Sequence, residues 1–164
     1  MKVFSIRTWQ DDADEAVKSY WAYVARIRSR LPSDLQRIAG AGGDITLNDS
    51  AVERIDISVG DATAEIRLSG KWVEGSVVGS RLLRLCYRGV SHVSSSVDPD
   101  VDGSGWAGYG DHGFDEVELL GGGLYEHRML FSSGIELDIR FSEFSLTYED
   151  VPNRWLPPAE TPEQ

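Results

Sequence analysis

The chain has 164 residues, 41% of them apolar and 10% aromatic, a composition that supports a folded core and excludes wholesale disorder. Sixteen Lys and Arg against 27 Asp and Glu give a formal net charge of −11, which argues against nucleic-acid binding because phosphate neutralisation needs clustered cations. Cys86 is the single cysteine, so neither an intrachain disulfide nor a cysteine-based zinc cluster can form.

The charge is unevenly spread. Residues 1–40 hold seven Lys and Arg against five Asp and Glu, while residues 41–164 hold nine against twenty-two. The opening residues, Met1 to Arg7, alternate like a strand and carry no signal-peptide core. No apolar run reaches the roughly eighteen residues of a membrane span. The expectation is a cytoplasmic protein with no membrane and no nucleic-acid partner.

In chain order, Asp11, Asp12, Asp14 and Glu15 mark a helix start, because short acidic side chains cap free N–H groups and suit the positive end of the dipole. Val17, Tyr20, Trp21, Val24, Ile27 and Leu31 recur at spacings of three and four, which predicts an amphipathic helix. Pro32 ends it. Ser33 caps a shorter helix over Asp34 to Ala39 that buries Leu35 and Ile38. After Ala41-Gly42-Gly43 the period becomes two. Ile55, Ile57 and Val59, then Ala62, Ala64, Ile66 and Leu68, flank Gly60-Asp61 and predict an antiparallel hairpin. Leu83, Leu85 and Tyr87 give a third strand, and Trp72-Val73 extends the second.

Residues 94–113 contain Ser94-Ser95-Ser96, alternate aspartates and five glycines, and predict a long loop. Strand character returns at Asp115 to Leu120, continues over Leu124 to Phe131 and Ile135 to Phe141, and shifts parity into Phe144, Leu146 and Tyr148. That shift predicts a bulge near Ser142-Glu143. The fold expected is α+β: an N-terminal amphipathic helix and a short second helix packed on a largely antiparallel sheet built from hairpins. Val17, Trp21, Val24 and Ile27 are expected to meet Ile55, Ile57, Ile66, Leu85, Leu137 and Ile139. Residues 1–151 form one domain in this reading, and the Pro-rich residues 152–164 form a tail.

Asp98, Asp100 and Asp102, followed by Gly103, resemble the first half of a calcium loop, since hard cations take several oxygens around a sharp turn. The twelfth position is Tyr109, not a bidentate glutamate. Calcium is thus the one cofactor the sequence raises, and a solvated acidic loop is the favoured alternative. Of the histidines, His92, His112 and His127, none makes a metal-spaced pair. His127 shares a strand face with Tyr125, Met129 and Phe131, which reads as packing. His112, beside Asp111, is a candidate general base, and the paired carboxylates Glu116 and Glu118 are a second acid/base candidate. Glu116 and Glu118 share a strand face, and alternating acids of this kind usually face water. Trp9, Trp72, Trp106, Tyr109 and Trp155 lie at element ends or in loops, where aromatics pack over sheet ends or anchor partners. The case for an enzyme is weak.

Leu124-Tyr125-Glu126-His127-Arg128-Met129-Leu130-Phe131-Ser132-Ser133-Gly134, continued by Glu136 to Phe141 and Phe144, resembles the C-terminal hairpin of a loose group of small uncharacterised bacterial proteins. Leu31-Pro32 at the helix end, Leu47-Asn48-Asp49-Ser50 and Asp115 to Glu118 extend the resemblance over residues 9–148. Some proteins of this group are taken to be immunity proteins. The resemblance implies stoichiometric binding to a basic protein through an acidic face, without a catalytic assignment. The candidate partner-binding residues are Trp106, Tyr109, Asp111, Glu116 and Glu118. The alternative function is a small-ligand or cation-binding module built on residues 98–115. An open sheet edge offers a route to a homo-oligomer.

Overall fold

A run of apolar residues at helical spacing, started by acids and closed by Arg26, forms α1 (Asp14–Ile27). A 3-10 turn (Arg28–Arg30) leads through Pro32 into α2 (Ser33–Ile38), and a second turn (Gly40–Gly42) ends the helical segment. The structure, a computed structural model, describes residues 4, 14–74, 77–97 and 108–151. Asp11 and Asp12 of the expected helix start lie outside them, as do the expected 152–164 tail, Trp9 and Trp155.

Eight strands follow: β1 (Ala51–Ser58), β2 (Thr63–Glu74), β3 (Val77–Arg88), β4 (His92–Val97), β5 (His112–Gly121), β6 (Leu124–Phe131), β7 (Ile135–Phe141) and β8 (Glu143–Val151). They form two antiparallel sheets, ordered β1-β2-β3-β8 and β4-β7-β6-β5. The protein is therefore α+β. No helix among the described residues is long and apolar enough to cross a membrane.

The two sheets share one long ribbon. β3 pairs with β8 in the first sheet, and their continuations β4 and β7 pair in the second. At the corner, Gly89, Val90 and Ser91 oppose only Phe141 and Ser142, and the extra residue bends the ribbon. Gly89 has φ +59°, and a Cβ there would collide with Ser142 Oγ. The parity shift read near Ser142 is this corner. The expected loop at 94–113 is shorter than its composition suggests, because Ser94, Ser95 and Ser96 pair with Asp138, Leu137 and Glu136 in β4. Serine favours turns locally, yet here the ribbon inherited from β3 supplies the partner strand.

One face of each sheet turns inward. Ala64, Ile66, Leu68, Leu83, Leu85 and Tyr87 of the first sheet share a buried core with Val117, Met129, Phe131, Leu137, Ile139 and Phe141 of the second. The helical segment packs against the antiparallel sheets as expected, and its buried residues join their core. It lies along strand edges. Tyr20, Val24, Ile27 and Leu31 are buried, whereas Trp21 is 46% exposed and Ile57 48% exposed. The apolar stripe is thus rotated from the expected one, because the helix packs beside β5.

The edge contacts show why. The Val117 N–H donates to Tyr20 Oη at 2.6 Å and the Leu119 N–H to Tyr23 Oη at 3.2 Å. At the edge of the other sheet, the Leu146 N–H donates to Asp34 Oδ2 at 3.0 Å. Outward-facing N–H groups of edge strands must be satisfied or left to pair with another chain. Here helical side chains satisfy them.

Replacing Tyr20 with Phe removes one acceptor and leaves the buried Val117 N–H unpaired. The expected loss is about 1–3 kcal/mol in urea unfolding. A Tyr20→Phe variant as stable as the parent protein contradicts the edge-capping role.

Candidate ligand-binding site

The outer edge of β5 is occupied at both ends. At its start, the His112 N–H donates to the Ser50 carbonyl at 2.7 Å, and the His112 carbonyl accepts from the Asp49 N–H at 2.9 Å. Further along, the tyrosines of α1 take Val117 and Leu119. Because strand backbone groups alternate in direction, Asp115 also turns its N–H and C=O to this edge, and no described residue meets them. Beside Asp115 lies a cavity of about 410 Å³.

Four segments build its walls. Val17, Tyr20 and Trp21 come from α1, Ile38 from the end of α2 with Gly40 and Gly43 to Asn48 from the chain after it, and Phe4 and the β5 residues Phe114 and Asp115 complete it. Arg28 holds the middle wall in place: its guanidinium donates to the carbonyls of Gln36, Ala39 and Gly42. Gly43 also lines the cavity, where a Cβ would strike the Arg37 carbonyl. Asp44, at the mouth, is bound by Arg37 (Nη2 to Oδ2, 3.0 Å), and that hydrogen bond holds its carboxyl below the usual range.

Behind Asp115 a polar chain enters the core. His127 Nε2 lies 3.5 Å from Asp115 Oδ2, and His127 Nδ1 lies 2.9 Å from Tyr87 Oη. Burial, and then the Asp115 charge, push the Tyr87 phenol well above its ordinary pKa. The phenol therefore keeps its proton, and its hydroxyl and His127 Nδ1 share one buried hydrogen bond. Tyr20 is raised by the same two causes. His112 sits close by, fully buried, its ring edge-on to Phe131 at 5.7 Å and neither nitrogen hydrogen-bonded.

The sequence-predicted residues fall in different places. Glu116 and Glu118 do share a face, on which Glu116 is buried and Glu118 half-buried. Glu116 is 2% exposed; it accepts from the Phe4 N–H at 2.7 Å and pairs with Arg128. Arg128, itself 4% exposed, also pairs with Glu118 and with Glu126, which Arg140 holds from the other side at 2.6 Å. Burial works against the ionised form of Glu126, yet Arg140 and Arg128 hold its carboxyl below its ordinary range. Burial raises Asp138, 3.8 Å from Arg128. The pair read as an acidic face is thus part of a buried ion network, because Arg128 on the neighbouring strand consumes it.

Tyr109 is half-buried with its ring against Phe131 at 5.0 Å, and Asp111 is exposed with its N–H on Ser132 Oγ. His112 is not a loop base but a core residue, His127 is buried, and His92 is exposed. Asp98, Asp100, Asp102 and Trp106 lie outside the described residues, within which no group of three or more His, Cys, Asp or Glu could hold a metal. Sequence reasoning missed the cavity. A signal existed: Asp115 stands on the apolar parity of β5, in phase with Val117 and Leu119.

Compared with known proteins, the chain matches no family model, no curated protein and no solved structure.

Burial pushes the His112 imidazole from an ordinary 6.5 down to about 4, with His127 adding to the shift and Asp115 opposing it. The unfolded chain therefore binds a proton that the folded one refuses. The stability this represents is complete above pH 6.5 and is lost as the pH falls towards 4, on the order of 3 kcal/mol at full effect. Urea midpoints of the parent protein should drop more steeply between pH 6.5 and 5 than those of a His112→Phe variant. Parallel pH profiles contradict this assignment.

Proposed function

We propose that the protein binds a small organic ligand in the cavity beside Asp115, and holds it without converting it. One observation carries this reading: the β5 edge is met at His112, Val117 and Leu119, while among the described residues nothing meets it at Asp115, where the cavity lies. The cleft joins the rings of Tyr20, Trp21 and Phe114 with the polar groups of Asp44, Thr46, Asn48 and Asp115, and a concave site of that size is where small molecules bind. Binding is favoured over catalysis because His127, the base nearest Asp115, is sealed in the core.

The expectation of an immunity-like protein that takes a basic partner is a second reading. In its favour, Asp111 and Tyr109 line a trough with Val52, Ile55 and Ile57 of β1. Against it, Glu116 and Glu118 are already paired with Arg128.

The test is a thermal-shift screen of small metabolites on the parent protein and on Thr46→Trp, which plugs the cavity mouth from an exposed position. A true ligand at 100 times its Kd stabilises the parent by about 2.7 kcal/mol, and the plugged variant loses that gain. A gain unchanged by the plug contradicts the site. Co-purification of one basic protein in a salt-sensitive complex, with no small-molecule shift, favours the second reading instead.

A further inference from the structure

The cavity wall that follows α2 carries a row of polar side chains. Burial alternates along it: Ile45 and Leu47 enter the core, while Asp44, Thr46 and Asn48 are exposed, and all of them line the cavity. Backbone contacts fix this wall, since the Ile45 N–H donates to the Arg37 carbonyl at 3.0 Å. Each polar group has a definite capacity. Arg37 grips the Asp44 carboxylate, with Nε 3.3 Å from both oxygens and Nη2 3.0 Å from Oδ2. The pair orients Asp44 as an ionised group that only accepts. Thr46 Oγ1 accepts from the Asn48 N–H at 3.3 Å, which leaves its own O–H as a donor. The Asn48 amide supplies both roles.

Trp21 supplies an apolar surface from the α1 wall. It packs beside Gly40, where a Cβ would lie 3.6 Å from the indole and 3.3 Å from Val24. The ring is thus seated close to backbone, yet it remains 46% exposed and lines the cavity. An exposed indole offers a flat apolar face with one polar handle. Beside it stand an acceptor, a donor and an amide that does both. That combination matches a molecule with an apolar C–H face and a rim of hydroxyls, each of which donates and accepts. A pyranose ring has this form. A purely aromatic or aliphatic body would leave the polar row unused.

We propose that the ligand is a neutral sugar, a pyranose whose C–H face lies on Trp21 and whose hydroxyls bond Asp44, Thr46 and Asn48. This rests on the small-ligand reading of the same cavity and adds the ligand's chemical class.

The test is calorimetric titration of the full chain with the methyl glycosides of glucose, galactose, mannose and N-acetylglucosamine at millimolar concentrations. Cyclohexanol, a six-membered ring with a single hydroxyl, is the control. At least one glycoside should bind about tenfold or more tightly than cyclohexanol, as further hydrogen bonds give. Trp21→Ala and Asn48→Ala, both at exposed positions, should each weaken that glycoside about three- to tenfold. Thr46→Trp should abolish its binding. A glycoside that binds both alanine variants as tightly as the parent protein overturns the assignment. Cyclohexanol binding as tight as any glycoside, and lost on Thr46→Trp, overturns the sugar and keeps the small-ligand reading. Silence from all the glycosides also overturns the sugar. A plug-sensitive thermal shift from a non-sugar metabolite then keeps the small-ligand reading, and the lack of any such shift overturns both.

Discussion

The outward backbone edge of β5 is the constraint on which the rest of the architecture depends. Two stacked sheets leave edge strands whose N–H groups need acceptors, and this chain supplies them from its helical segment. Tyr20 and Tyr23 lie one helical turn apart, about 4.5 Å along the axis. The N–H groups they meet, on Val117 and Leu119, lie roughly 7 Å apart along the strand. The long tyrosine side chains span the difference. One turn earlier, α1 offers Ala16 and Val17, which have no hydroxyl. Among the described residues the capping therefore stops at Val117; the next outward residue is Asp115, and the cavity lies beside it.

The face of the second sheet turned away from the core is organised by a different rule. Arg128 lies between Glu116 on β5 and Asp138 on β7 in the strand register, and its guanidinium also reaches Glu118 and Glu126. A buried ion cluster is weak evidence for net stability, because desolvation opposes the Coulomb gain. Its value here is positional. Sliding β5 by one residue would place Val117 opposite Arg128 and strand the guanidinium without its carboxylates. The same register sets Asp115 on the inner face, in reach of His127, and so fixes the acid of the candidate site.

Much of this fold was legible in the residue pattern. The helix around Val24 and Ile27, the hairpins around Gly60-Asp61 and Ser132-Ser133-Gly134, and the break at Ser142 all follow from spacing and turn chemistry. Two things were not. Periodicity identifies an apolar stripe but not its partner, so Trp21 read as core although the helix lies on a strand edge. Alternation identifies two faces but not what lies across the sheet, so Glu116 and Glu118 read as solvated although Arg128 stands beside them. The candidate site depends on both kinds of information. Asp115, Tyr20 and His127 are 95, 12 and 107 residues apart in pairs, and only the packing of α1 against β5 and β6 brings them together. The acid among Val117 and Leu119 was the local trace of it.

Native-state hydrogen exchange of the β5 amides tests the central claim most directly. If α1 seals the edge and leaves it open only beside the cavity, the Val117 and Leu119 amides exchange through global unfolding. The Asp115 amide, between two protected neighbours on the same edge, then exchanges orders of magnitude faster. An Asp115 amide as slow as that of Val117 would contradict the open edge, and with it the account of the site.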